Sequence, residues 1–286
     1  MLLITGATGQ LGQALFPFLL ARWPASQLAA LVRDPAKATH LRDTGVSIRV
    51  GNYDDPAALD AAMVGVERVL LIAGTDEHKR VAQHGQVIDA ARRAGVTTVA
   101  YTSRALRDRT TLANPLMEGH FQTEDLLLAS GLRCVLFRNS LYLDAIPLFV
   151  GPAVLDTGIQ LPAGAGQVAF ALRSELAEAM ATVLTDPIPV SRTYTLTGDT
   201  AYSFADVAAA LQQLSGRPVR YTPATVAVFE ALLTTRGVPA AGIDRIVGFM
   251  TDIANGQEAG VTTELSQLLG RPTASLPVGL RPWYGH

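Results

Sequence analysis

The sequence is short of the features that mark most specialised protein classes. It has a single cysteine, Cys134, in 286 residues. One thiol excludes an internal disulfide and any metal site built on several thiolates. Set in the apolar run Cys134-Val-Leu-Phe137, it reads as a buried core thiol. Charged residues are 17% of the chain, the formal net charge is -2, and no lysine- and arginine-rich cluster with interleaved aromatics occurs. Nucleic acid is therefore not an expected partner. No apolar run reaches the roughly 18 residues that a membrane span needs. Met1 leads straight into the first apolar segment, so no targeting peptide is read and the cytoplasm is the expected location. His40, His78, His84 and His286 are scattered without ligand spacing, so no metal is expected. Trp23 and Trp283 read as packing or surface residues. There is no internal repeat and no low-complexity tract.

What the chain does have is 49% hydrophobic residues, enough for a substantial core, and an opening of marked regularity. Met1-Leu-Leu-Ile-Thr5 reads as a buried strand and Gly6-Ala-Thr8-Gly9-Gln10-Leu11-Gly12 as a glycine-rich turn. Gln13 to Ala21 reads as a helix. Glycines at 6, 9 and 12 allow a tight reversal, a close approach of backbone N–H groups to a ligand, and close packing of helix on strand. The helix start then offers its positive end to a pyrophosphate.

Strand and helix patterns alternate from there. Strands are expected at Leu28 to Val32, Val46 to Val50, Arg68 to Ala73, Thr98 to Thr102 and Arg133 to Phe137. Helical segments are expected at Pro35 to Asp43, Pro56 to Val64, Glu77 to Ala94 and Leu116 to Ala129. Asp55 caps the second of these, with Pro56 at its first position. Such alternation predicts right-handed βαβ crossovers and an α/β, doubly wound parallel sheet of the Rossmann kind. Past Leu141 the pattern loosens. A loop with one short strand spans Gly158 to Gly166, a helix Arg173 to Leu184, and a strand Thr193 to Leu196. Ser203 and Asp206 form a near capping box, and Val219 to Tyr221 is a short strand. The rest to Leu269 reads as mostly helical, broken at Gly237-Val-Pro239. The expected division is a dinucleotide-binding domain over 1–150 and a smaller, mostly helical substrate region over 151–286. Helix 173–184 and strand 193–197 are expected to pack back on the first domain.

Ligands of open α/β sheets collect outside the carboxyl ends of the strands, which directs attention to the residues there. Arg33 follows the second strand, where an NAD-preferring site places a carboxylate on the ribose. A guanidinium instead grips a 2′-phosphate, so NADP(H) is the cofactor expected, with Lys37 adding charge. The competing reading is a solvated arginine at a strand end. Asn52-Tyr53-Asp54 stands where an adenine ring would lie, with Asp54 accepting from its amine and Tyr53 flanking it; an ordinary turn is the alternative. Ala73-Gly74 permits close backbone approach. Tyr101-Thr102-Ser103 and Arg138-Asn139-Ser140-Leu141-Tyr142 end the next two strands and should line the nicotinamide and acceptor cleft.

Taken together, Gly6 to Gly12, Leu31-Val-Arg33-Asp-Pro-Ala-Lys37, Ala100-Tyr-Thr-Ser103, Glu124 with Ser130-Gly131, and Phe137-Arg-Asn139 resemble the NmrA-like branch of the atypical short-chain dehydrogenases/reductases. The likeness is greatest to its bacterial reductases of quinones and triphenylmethane dyes. It extends through Arg173-Ser-Glu-Leu-Ala177, Tyr194-Thr-Leu-Thr-Gly198 and Leu269-Gly-Arg-Pro-Thr273. The resemblance implies an NADPH-dependent reductase of quinone-like or cationic conjugated acceptors, with a homodimer left open as its assembly. The superfamily's Tyr-x-x-x-Lys pair is missing: Leu116 and His120 stand at those positions.

Hydride added to a simple ketone leaves a basic alkoxide that needs a positioned acid. Hydride added to a quinone leaves a phenolate-like oxygen, and a cationic dye is merely neutralised. Quinone or dye reduction thus tolerates the loss. Three residues are candidates for the chemistry. His120 can bind the nicotinamide ribose or relay a proton, or be a helix histidine without catalytic duty. Asn139 can orient the carboxamide or an acceptor oxygen. Tyr142 can stack on a planar acceptor or donate its hydroxyl, or simply pack. A non-catalytic, dinucleotide-binding redox sensor of the same branch is the alternative function.

Overall fold

A computed structural model describes residues 1–76, 78–187 and 190–285. Contacts divide the chain into two compact, interleaved units. The first comprises Met1–Arg104, Gly119–Asn139 and Leu176–Tyr194, and the second Ala105–Glu118, Ser140–Glu175 and Thr195–His286.

The first unit is built on a parallel sheet. Its strands β1 (Leu2–Ile4), β2 (Leu28–Val32), β3 (Ser47–Val50), β4 (Arg68–Leu71), β5 (Thr98–Arg104) and β6 (Arg133–Asn139) lie in the order β3-β2-β1-β4-β5-β6. A seventh strand, Arg192–Leu196, follows β6 at the edge. The order reverses beside β1, so the carboxyl ends of β1 and β4 flank the switch point. Leu2, Leu3 and Ile4 are fully buried, as a central strand covered on both faces requires. Each such aliphatic side chain contributes about 1.5–3 kcal/mol by leaving water. Helix α1 (Gln10–Leu20) buries Leu11, Leu15, Phe16 and Leu19. Helices α2 (Thr39–Asp43), α3 (Pro56–Ala62), α4 (Arg80–Arg93) and α5 (Glu118–Ala129) follow in order. Cys134 is a buried free thiol, as its setting suggested.

Several boundaries differ from the sequence expectation, each for a local reason. Helix α1 begins at Gln10, not Gln13, and takes Gly12 into its first turn. A Cβ on Gly12 would stand 2.5 Å from the Gly6 carbonyl oxygen, so glycine here allows the helix to start against the turn. Strand β4 stops at Leu71 rather than Ala73. The next amides are taken by side chains: Ile72 N–H donates to Thr5 Oγ1 (3.0 Å) and Ala73 N–H to Thr102 Oγ1 (2.9 Å). Pro35–Ala38 is a 3₁₀ turn, capped by Asp34, ahead of a short α2. Leu116 lies in the 3₁₀ turn Pro115–Met117, ahead of α5. The expected start of the fourth helix at Glu77 and the histidine at 286 lie outside the described residues.

The second unit has its own core, including Leu141, Ile146, Phe170, Phe204, Phe229, Met250 and Leu280. Ser203 and Asp206 make both bonds of a capping box at the start of the helix Phe204–Ser215. Helices Val226–Thr235 and Ala240–Ala254 are separated where Gly237-Val-Pro239 was expected to break them. Val219 to Tyr221 is not a strand: Tyr221 makes an isolated bridge with Ile159. The strands Gln167–Val168 and Tyr202–Ser203 pair antiparallel instead. A final helix, Leu276–Tyr284, lies beyond the last segment expected.

Candidate functional site

The chain leaves β1 at Thr5 and turns at Gly6, whose φ of +58° suits glycine. Gly9 N–H then donates to Gly6 O (2.9 Å), and α1 starts. Gly6, Gly9 and Gln10 are exposed, Thr8 is half-buried, and Leu11 and Gly12 are buried. No side chain caps α1 at Gly9 and no acidic residue lies in its first turn. Its leading N–H groups therefore face outward with their partial positive charge uncompensated by side chains.

Beside the carboxyl ends of β2 and β3 lies an open cavity of about 490 Å³, lined by Arg33, Val50, Gly51, Asn52, Asp54, Asp55 and Ala58. Arg33 is the cation in this lining. It is exposed, and neither its side chain nor that of Lys37 has a hydrogen bond or ion pair among the described residues. The nearby carboxylates are otherwise engaged. Asp34 caps the turn through Ala36 N–H (3.0 Å), Asp55 caps α3 through Ala58 N–H (3.0 Å), and Asp54 accepts from Gln83 Nε2 (2.9 Å). Asn52 Oδ1 accepts from Asp54 N–H (2.7 Å) and shapes the turn.

Tyr53 turns inward. Its hydroxyl donates to Thr5 Oγ1 or to Ile72 O, and burial pushes its pKa up to about 12. Tyr53, His84, Tyr101 and His120 form an aromatic row, with successive ring centroids 6.1, 5.3 and 6.2 Å apart. Tyr101 is fully buried, and its hydroxyl lies 3.0 Å from His120 Nδ1, so that side chain is held in the core. Burial, with Arg80, Arg104 and His84 adding to it, holds His120 well below the ordinary histidine range; burial likewise raises Tyr101. The imidazole is thus neutral near pH 7.

Ser103 and Asn139 are both 2% exposed, and Ser103 Oγ and Asn139 Oδ1 are buried without a hydrogen-bond partner. Asn139 Nδ2 approaches Met180 Sδ (3.8 Å). The register pairs Tyr101 with Leu136, so Tyr101 and Asn139 leave opposite faces of the sheet. His120 and Asn139 therefore do not form one side-chain cluster. Tyr142 belongs to the second unit. The Arg173 guanidinium covers one ring face at 4.4 Å and is ion-paired with Asp144.

Sequence reasoning passed over His84, which is completely buried. Gly74 N–H donates to its Nε2 (3.0 Å), Arg80 Nε donates to Gly74 O (3.3 Å), and His84 Nδ1 meets Thr123 Oγ1 (2.9 Å). The available signal was its place with Arg80, Val87, Ile88 and Ala91 on the buried stripe of α4. Among the described residues no group of histidine, cysteine, aspartate and glutamate could hold a metal ion, and no helix is long and apolar enough to cross a membrane.

Comparison with known proteins gives a consistent picture. The NmrA-like family model matches residues 1–273. Quinone oxidoreductase 2 of Escherichia coli is 38% identical over 277 residues, 96% of each chain. The crystal structure of NADPH-dependent quinone oxidoreductase from Escherichia coli complexed with NADPH superimposes with a TM-score of 0.90 at 36% identity, covering 97% of each chain. That of Citrobacter sp. triphenylmethane reductase complexed with NADP(H) does so with a TM-score of 0.90 at 33% identity, covering 98% of this chain and 99% of that one.

Proposed function

The chain belongs to the NmrA-like family, and on that footing we propose that it is an NADPH-dependent reductase that delivers hydride to quinones or similar conjugated acceptors. The observation that carries the reading is the partner-free Arg33 guanidinium in the cavity at the ends of β2 and β3. The complexes of the two related reductases with NADPH and NADP(H) support it.

The residues present fit this dinucleotide. Gly6, Thr8, Gly9, Gln10, Leu11 and Gly12 supply a turn and an uncapped helix start suited to a diphosphate. Arg33 would hold the 2′-phosphate, with Lys37 contributing charge. Asn52, Tyr53 and Asp54 form the adenosine end, Tyr53 through its backbone because its hydroxyl is bound within the protein. Ala73 and Gly74, with Thr102 holding the Ala73 amide, carry the path toward Ser103. Tyr101 acts from within the core by holding His120. Bound NADPH supplies the hydride.

The protein's own contribution to the reaction is orientation and exclusion of water rather than strong acid catalysis. The superfamily's acid, a tyrosine, is replaced by Leu116, which has no proton to give. His120 is neutral and tied to Tyr101, so it can relay a proton but is not a cationic acid near pH 7. Asn139, whose Oδ1 is buried without a hydrogen-bond partner, is the polar side chain assigned to orient the acceptor. Acceptors whose reduced oxygen is already a weak base suit such a site.

The test is NADPH consumption with a panel of benzoquinones. Saturable turnover well above the uncatalysed rate is expected. Tight NADPH binding without turnover would instead establish a dinucleotide sensor.

A further inference from the structure

We propose that His84 is a positioning residue for the dinucleotide, setting the turn after β4 through its Nε2 contact with Gly74 and tying that turn to α5 through Nδ1. The assignment rests on NADPH being the ligand at these strand ends.

One hydrogen-bond chain fixes the state of this imidazole. Gly74 N–H can only donate, so His84 Nε2 must be unprotonated (3.0 Å). The ring proton then sits on Nδ1 and is donated to Thr123 Oγ1 (2.9 Å), whose own proton goes to Gly119 O (2.8 Å). No other tautomer satisfies all three bonds. Protonating Nε2 would set two N–H groups against each other at Gly74. Burial, reinforced by Arg80, agrees with this state by lowering the pKa to about 3. The ring is also gripped edge-on by Tyr53 and Tyr101, at interplanar angles of 72° and 69°.

The consequence falls on Gly74. Its N–H is bound by His84 and its C=O by Arg80 (3.3 Å), so both backbone polar groups are fixed by α4. Steric need for glycine is absent on the protein side. A Cβ there would meet Gln83 Oε1 at 3.4 Å, His84 Nε2 at 3.7 Å and Tyr53 Cδ2 at 3.8 Å, all ordinary contacts. Hydrogen bonding therefore sets this turn, and through Thr123 the same imidazole fixes it relative to the first turn of α5, where His120 lies.

Two substitutions divide the two nitrogens. In His84→Gln the amide oxygen falls near the place of Nε2 and keeps an acceptor for Gly74. In His84→Asn the amide nitrogen falls near the place of Nδ1, keeps the donor to Thr123, and leaves the Gly74 amide unpaired. With the full chain, NADPH dissociation constants are read by nucleotide fluorescence, and KM and kcat with a benzoquinone. His84→Gln, which keeps the Gly74 bond and loses the tie to Thr123, should weaken NADPH only about threefold, while His84→Asn should weaken it about tenfold, the effect of leaving one half-buried amide unpaired. The loss should appear in KM for NADPH more than in kcat. Nitrogen-15 spectra of the wild-type histidines should show His84 as the neutral Nδ1–H tautomer, whether or not the variants fold.

Equal losses in the two variants, undiminished binding by His84→Asn, or an Nε2–H tautomer would each overturn the proposal. If the wild type itself fails to bind NADPH, the functional reading falls with it. If the wild type binds and the variants do not separate, only the role of His84 falls.

Discussion

Replacing Arg33 tests the choice of dinucleotide at one atom group. Arg33 is exposed and has no hydrogen bond or ion pair among the described residues, while Asp34, Asp54 and Asp55 are engaged elsewhere. Removing the guanidinium thus breaks no internal pairing, and the thermal midpoint should stay within about 1–2 °C, the effect of a surface substitution. What is lost is the contact with a 2′-phosphate. Hydrogen bonds to charged groups contribute about 1.5–3 kcal/mol, so Arg33→Ala should weaken NADPH about 10- to 150-fold. Arg33→Asp should weaken it further by placing a like charge beside the phosphate. NADH lacks that phosphate and should change by less than about threefold. Titrations of both dinucleotides against both variants, with KM values alongside, provide the assay. Equal losses for NADPH and NADH would refute the reasoning, since they would mean that Arg33 acts on something the two cofactors share.

Two glycines should respond in opposite ways to the same methyl group. Gly12→Ala forces a Cβ to 2.5 Å from Gly6 O and 2.8 Å from Ala7 O, so it should lower the thermal midpoint and NADPH affinity together; Gly74→Ala meets only contacts of 3.4 Å or more and should fold normally, both read by melting curves and titration. His120→Ala should lower kcat more than it weakens NADPH binding, because the ring is held by Tyr101 within the core. Burial keeps the His120 pKa below its ordinary value. The neutral form therefore predominates at pH 7 and above, and dependence of kcat on this group should be flat there and fall only on acidification; an inflection at or above pH 6.5 that His120→Ala removes would contradict it.

The sheet was legible because a parallel strand covered on both faces must be apolar along its length, and Leu2-Leu3-Ile4 and Leu28 to Val32 are. The glycine turn was legible for its backbone chemistry. The helix start at Gln10 was not, because Gly12 reads as turn until its packing against Gly6 is seen. The strands Gln167–Val168 and Tyr202–Ser203 are two residues each, too short for any periodicity. The last helix is masked by Pro277 and Pro282. At the site, strand-end reasoning named residues at the carboxyl ends of the strands but could not separate the faces they leave from. Arg33 stands free in its cavity, Tyr101 turns into the core, and Asn139 leaves the other side of the sheet. His84 was missed for a related reason: its importance lies in a backbone amide ten residues away, which no side-chain pattern displays.

The central claim is hydride transfer to a conjugated acceptor without a dedicated proton donor, and single-turnover reduction of a benzoquinone by enzyme-bound NADPH tests it most directly. NADPH and NADPH deuterated at the transferred position are compared, with the hydroquinone measured alongside. The expected result is saturable decay of NADPH absorbance, one hydroquinone formed per NADPH consumed, and slower decay with deuterium. Bound NADPH that stays reduced in the presence of the quinone, or decay no faster than without protein, would contradict the account.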